Sequence, residues 1–494
     1  MTRKICFFFL LLLVLACPFF SQQQGEISYQ DVSLMPEGRK GERIQSLIDT
    51  FNANDPGVIK QFLNLECTER FRNSAPMEEH IRVFQSTFSS WGKIAFHGLR
   101  TYVPERKAQT IVIFKDQNFD SWRAAALRFD ENNDSLIAGI GFSDARTPTN
   151  VIEQALTEKQ FIDELSILLN RLDQQDLFSG TVLVAKDGEV LFTFVCGEAS
   201  RRFHVPNTID TKFNLGSMNK MFTATAIVQL IEKGILSYDD PLSKYLDESW
   251  LPEDTSSRIT LHHLLTHTSG LGSYFNTTYV NSSKELFRAL DDYKPLIKDE
   301  KLAFAPGKRF RYSNTGMFLL GAVIEKATGK DYFEYIRQNI YTLAGMTNSD
   351  CYEMDYPVEN LAIGYHPDAN APSGWKNNLY MHVIKGGPAG GGFSTVRDLH
   401  KFARALIHGK LVKKESLDLM WTDQAGAGYG YGFSIAEGSG GKVVGHSGGF
   451  PGINSNLDIF VDSCYISAVM SNNSGAASPV ARKIAELINR LKSQ

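Results

Sequence analysis

The 494-residue sequence is poor in cysteine: it has six, and two of them, Cys6 and Cys17, fall at the N-terminus. The other four, Cys67, Cys196, Cys351 and Cys464, are scattered and form no C-x-x-C pair. That excludes a disulfide-dense small scaffold and a cysteine-based zinc ribbon. Four cysteines allow three pairings and their placement favours none, so buried thiols are expected. Long basic runs are missing too. With 51 Lys and Arg against 55 Asp and Glu, the formal charge is −4, and no footprint for nucleic acid is present. Beyond the N-terminus no apolar run is long enough to cross a bilayer. Repeats and low-complexity tracts are also lacking. What remains is an ordinary globular composition, 43% hydrophobic and 21% charged. The chain is too long for one core, and two or three domains are expected.

The N-terminus differs from the rest. Arg3 and Lys4 precede an apolar run over residues 5–16, too short to span a membrane and shaped like a secretory signal. Residues 1–21 are therefore read as a leader, cleaved after Ala16 or Ser21, and the protein as exported, periplasmic or secreted. Val14-Leu15-Ala16-Cys17 also resembles a lipoprotein signal, although leucine before the alanine is atypical there. A lipid on Cys17 would attach the chain to a membrane.

Residues 26–143 read as a small α+β domain. Helical patterns cover residues 41–54, 57–65 and 77–90, and strand-like runs cover 93–103, 108–114, 121–129 and 135–142. The acidic turn from Asp130 to Asp134 lacks the glycine and the glutamate of a calcium loop, so it reads as a hairpin turn. Helices followed by a curved antiparallel sheet resemble the nuclear-transport-factor-like cone fold, a module that often pairs two copies. A homodimer through this domain is the partner that resemblance implies. Residues 144–154, with Pro148, form a linker. Residues 155–494 form a larger unit: a helix over 158–172, strands over 180–185 and 189–195, a long helical middle, strands over 456–461 and 464–470, and a closing helix over 479–491. A sheet built from both ends beside a helical lobe is expected.

Within that unit Gly216-Ser217-Met218-Asn219-Lys220 puts a hydroxyl and an amine at i, i+3 on a helix expected to run to about Lys233. A serine is a weak nucleophile until a base takes its proton. A lysine serves as that base only when burial or nearby positive charge holds it neutral. The helix behind the pair is apolar almost all round, through Phe222, Ala224, Ala226, Ile227, Val228, Leu230 and Ile231, and so belongs in a domain centre. Its N-terminus would favour an oxyanion.

Two further stretches follow. Arg311-Tyr312-Ser313-Asn314-Thr315 presents a phenol and an amide before a helix over residues 316–327. Gly445-His446-Ser447-Gly448-Gly449 follows a short strand over residues 442–444, and its glycines would let a substrate approach backbone N–H groups. Taken in order, S-x-x-K, Y-x-N and H-x-G resemble the serine β-lactamase and penicillin-recognising family. Within it the match is to the class C and D-alanyl-D-alanine peptidase branch, which also holds esterases and D-aminopeptidases. Phe178–Val184, Leu264–Leu271 and Gly390–Thr395 add to the resemblance, which spans residues 161–491.

The resemblance implies an α/β (α+β) fold with an antiparallel sheet flanked by helices and a helical lobe. It implies that Ser217 forms an acyl-enzyme, that Lys220 and Tyr312 handle protons, and that Asn314 binds the substrate amide. The N–H groups of Ser217 and Gly449 would form the oxyanion hole, with His446, Gly448 and Gly449 lining the substrate strand. A cation beside Tyr312 would lower its pKa from about 10. No cofactor is implied. The substrate would be a small ester, amide or D-amino-acid peptide; a non-catalytic binding protein or a true β-lactamase on the same fold are the alternatives. His446 stands where β-lactamases of this branch usually have lysine, and Gly449 where serine or threonine is common, which argues against efficient β-lactam hydrolysis. His263 and His267 share i, i+4 spacing, but no glutamate follows His263 as a zinc H-E-x-x-H site requires, so no metal is expected.

Overall fold

The computed structural model describes residues 28–103, 109–368, 370–438 and 440–491. The expected leader, residues 1–21, and Cys17 lie outside them, as does Ala108, the start of one expected strand. The chain divides into two compact units. One runs from Phe178 to Asn489; the other holds the described residues before Phe178 together with Arg490 and Leu491.

In the N-terminal unit, strands β1 (Ser28–Val32), β2 (Ile94–Val103), β3 (Thr110–Asp116), β4 (Trp122–Asp130) and β5 (Leu136–Asp144) form an antiparallel sheet in sequence order. Helices α1 (Arg39–Ala53), α2 (Pro56–Glu66) and α3 (Met77–Trp91) pack their apolar faces on it. Alternation decides the side: Val112 and Phe114 of β3 join Leu47, Phe51 and Phe62, while Ile111 and Ile113 face the other way. Strand β1 carries no apolar alternation and escapes sequence reading. It is held by its ladder to β2 and by the buried pair of Arg100 with Asp31, 2.9 Å apart. Helix α4 (Glu158–Gln174) opens with a Thr157–Gln160 capping box and belongs to this unit.

The larger unit is built on β6 (Gly180–Lys186), β7 (Glu189–Cys196), β8 (Ser434–Gly438), β9 (Gly441–Phe450), β10 (Ile453–Phe460) and β11 (Tyr465–Ser471). They form one antiparallel sheet in the order β8-β9-β10-β11-β6-β7, so the two ends of the unit meet in its middle. In the helical lobe stand α5 (Asn219–Glu232) and α6 (Asn314–Thr328); α7 (Val396–Ile407) lies on β6 and β11, and α8 (Ala477–Asn489) packs on β10 and β11. Helix α5 is buried from Asn219 to Leu230, as its all-round apolar sequence requires. The fold is the expected one: mixed α/β, an antiparallel sheet flanked by helices, a helical lobe, and a small α+β unit before it. The closing helix sits two residues earlier than expected, and the expected three-residue strand at 442–444 is a ten-residue one that includes His446, Gly448 and Gly449. Among the described residues Cys67, Cys196 and Cys351 are buried and Cys464 is exposed.

Candidate active site

Ser217 lies in the 3-10 turn Gly216–Met218 that leads into α5, and Lys220 sits in the first turn of α5. The turn is tightly seated. Gly216 has φ +51, and a Cβ there would lie 2.9 Å from both Gly448 Cα and Gly449 N, so only glycine brings the two backbones this close. Leu215 N–H donates to Gly392 O (2.7 Å), Gly391 N–H to Gly216 O (3.2 Å), and Gly216 N–H to Asn214 Oδ1 (2.8 Å). The Gly390–Gly392 stretch therefore acts as a backbone bed for the serine turn. The turn that carries Ser217 thereby lies against the backbone N–H of Gly449.

Asn314 opens α6, and Tyr312 lies just before the helix. Its N-cap is Ser313, whose hydroxyl accepts from Gly316 N–H (2.8 Å) and donates to Gly272 O (2.9 Å). The helix therefore begins at Asn314, two residues earlier than the sequence pattern indicates. Lys220 is fully buried; its amine donates to Asn314 Oδ1 (2.9 Å) and Ala389 O (2.5 Å), and Nζ lies 4.8 Å from the centre of the Tyr312 ring. Asn314 Nδ2 in turn donates to Ser273 Oγ (3.1 Å), which fixes the orientation of the amide. Burial pushes Lys220 well below the usual lysine range. A neutral amine has two hydrogens and one lone pair. With both hydrogens spent on Asn314 and Ala389, the lone pair is left to receive a proton.

The Tyr312 phenol lies within reach of the Ser217 side chain. The phenol does not behave as expected: desolvation raises its pKa, and its interaction with Ser217 only moderates the rise. A lysine itself driven neutral supplies no cation to pull it down. The ring keeps 38% of its surface open, so water on that side limits the push. Tyr312 is thus a protonated hydroxyl at neutral pH rather than a resident phenolate.

His446 and Gly448 share one face of β9, while Gly449 points the other way, where a Cβ would meet nothing within 4 Å. His446 is only 6% exposed; its Nδ1 lies 2.6 Å from Ser447 O and its Nε2 3.1 Å from the Tyr429 hydroxyl. Both ring nitrogens are therefore engaged within the protein. Burial, with Lys220 nearby, pushes its pKa down to about 3. The ladder with β8 covers β9 only from Gly441 to Gly445, leaving that edge from His446 onward for a substrate backbone.

His267 does not pair with His263. The short helix Leu261–Leu265 ends before it, and His267 has φ +57, so the i, i+4 spacing marks no helical face. Its Nδ1 accepts from Ser313 N–H (3.1 Å), and its ring lies tilted against Tyr312 (4.4 Å between centres) and Tyr429 (4.6 Å). His263 Nδ1 accepts from Thr260 N–H (3.2 Å) instead. Among the described residues no cluster of His, Cys, Asp or Glu is suited to a metal. Sequence reading missed Ser273, Ala389 and Tyr429. Only Tyr429 had a signal, the alternation of glycine and tyrosine over residues 428–432.

Known proteins resemble this chain in sequence and fold. Penicillin-binding protein 4* of Bacillus subtilis is 31% identical over 315 residues, covering 60% of this chain and 69% of that protein. Esterase EstB of Burkholderia gladioli is 30% identical over 226 residues, covering 44% and 57%. The crystal structure of a penicillin-binding protein from Bacillus halodurans superposes with a TM-score of 0.59 at 33% identity, covering 67% of this chain and 98% of that one. The Beta-lactamase family model matches residues 156–489, which hold the Ser217 turn, Tyr312 and the glycine-rich strand together, and the chain belongs to that family.

Proposed function

We propose that the protein is an exported serine hydrolase that forms an acyl-enzyme at Ser217 on a small ester, amide or D-amino-acid peptide. The observation that carries this reading is the enclosed Lys220 amine, its hydrogens spent on Asn314 and Ala389, 4.8 Å from the ring of a Tyr312 whose phenol is within reach of Ser217. Ser217 Oγ attacks the carbonyl as its O–H bond breaks, and the proton passes, with Tyr312 as relay, to the Lys220 lone pair. The ammonium so formed lies over the Tyr312 ring, an attraction of about 0.5–2 kcal/mol. The oxyanion falls to the N–H groups of Ser217 and Gly449, each such donor contributing about 3 kcal/mol in the transition state. Lys220 returns the proton to the leaving group. Water, deprotonated by the same pair, then cleaves the acyl ester.

The names of relatives at 27% identity or more support both ester and amide chemistry: an esterase and a D-stereospecific amidohydrolase. Engagement of both His446 nitrogens favours these substrates over β-lactams. The direct test is labelling with a fluorophosphonate and mapping of the adduct by mass spectrometry. Modification of Ser217, lost in Ser217→Ala, is expected. A folded protein that stays unlabelled would mark a binding module instead. Hydrolysis of nitrocefin far ahead of p-nitrophenyl esters would overturn the substrate assignment.

A further inference from the structure

Tyr429 has no part in the reaction above, yet it completes the wall behind Tyr312. It is 3% exposed and enclosed by the rings of His267, Phe310 (6.0 Å) and Tyr312 (6.3 Å, perpendicular). Its loop is anchored: Tyr431 N–H donates to Met420 O (2.9 Å), and Gly432 (φ +75) lies so close to α5 that a Cβ there would be 2.9 Å from Lys220 O.

The tautomer of His446 follows from its partners. Ser447 O is a carbonyl and only accepts, so Nδ1, 2.6 Å away, carries the hydrogen. In the uncharged ring Nε2 is then a lone pair, and the Tyr429 hydroxyl donates to it. The groups around the imidazole are Tyr429, Tyr312, Lys220 and His267, none of them an anion. The acid nearest in the adjacent strand, Asp458, pairs with Gly445, one position out of step with His446, and so projects from the opposite face. Nothing there holds an imidazolium.

We propose that Tyr429 is a specificity-determining residue: by donating to Nε2 it keeps His446 a fully engaged, uncharged ring, so the free edge of β9 offers no cation to a carboxylate. The inference rests on the acyl-transfer reading and narrows it to acyl donors with no carboxylate beside the scissile bond. Tyr429 acts through His446 and is a positioning residue for it.

The test joins a spectroscopic readout to a kinetic one. In the full-length protein labelled with 15N-histidine, His446 is expected as the Nδ1–H tautomer, unchanged from pH 5 to 9. In Tyr429→Phe the Nε2 resonance should move and titrate. For phenyl acetate against 3-carboxyphenyl acetate at pH 6, wild type should favour the uncharged ester by about tenfold or more in kcat/KM. Tyr429→Phe should narrow that preference severalfold through KM of the charged ester. In a His446→Ala background the same substitution should leave the ratio within twofold. A proton on Nε2 in wild type overturns the proposal whether or not the variant folds. So does an equal loss on both esters in Tyr429→Phe. Should neither ester react, the acyl-transfer reading fails separately. The proposal is then decided by titrating acetate against the His446 resonances: binding confined to Tyr429→Phe supports it, and binding to wild type overturns it.

Discussion

Lys220 owes its character to enclosure. Burial alone drives its pKa down, and two neutral acceptors hold its hydrogens. Activity should therefore rise with pH as the amine loses its proton at the lowered pKa, and level off above it. Lys220→Met keeps the stem and removes the base; kcat for p-nitrophenyl acetate is expected to fall by about 10²–10⁴-fold, the range of general-base catalysis. His446 makes the complementary statement about stability. Its pKa falls from an unfolded 6.5 to about 3, so between those values the unfolded chain binds the extra proton. Stability is then full above pH 6.5, drops as pH falls toward 3, and levels off below it. One such group contributes a slope of about 1.4 kcal/mol per pH unit. His446→Gln should remove that much slope from urea unfolding measured between pH 4 and 6, leaving the similar contribution of the buried His267, also pushed down.

At the level of elements, the glycines of β9 divide by the face they occupy. A Cβ on Gly448 would lie 1.9 Å from Leu215 O, a backbone atom that cannot step aside without moving the Ser217 turn. Gly448→Ala should therefore displace an oxyanion donor and lower kcat/KM by about a hundredfold or more. Gly449→Ala meets open space and should stay within a few fold, so parallel ester assays on the two variants read the geometry directly. The same strand shows where the sequence was legible. Apolar periodicity marked α5, β6 and β11, and motif order singled out Ser217, Lys220, Tyr312, Asn314 and His446, which the fold brings together. The full length of β9 was hidden because glycines leave no alternation to read, although the ladder to β10 runs through them from Val443 to Phe450. Tyr429, Ser273 and Ala389 were hidden for another reason. Their part is a hydrogen bond to a distant residue, and no spacing along the chain records it.

At the scale of the molecule, the candidate site is confined to one unit. Ser217, Lys220, Tyr312, Asn314, His446 and Gly449, with the partners that fix them, all lie between Phe178 and Asn489. The Bacillus halodurans relative is matched over 98% of its length by 67% of this chain, so a related protein folds with little beyond the shared part. A chain begun at Asn150 retains α4, the Leu156 N–H bond to Arg490 O (2.6 Å) and the ion pair of Arg490 with Glu164 (3.0 Å), and loses the α1–α3 layer, its sheet and the bond from Arg171 of α4 to Asn118 O (3.0 Å). It should hydrolyse p-nitrophenyl acetate with kcat/KM within about threefold of the full-length protein, because no group that touches the ester has been removed. A larger loss, in a protein shown by circular dichroism to be folded, would mean that the N-terminal unit supplies part of the site. An unchanged rate on the small ester with a reduced rate on longer D-amino-acid peptides would assign that unit to holding the remote end of the substrate, where binding energy is gained away from the reacting bond.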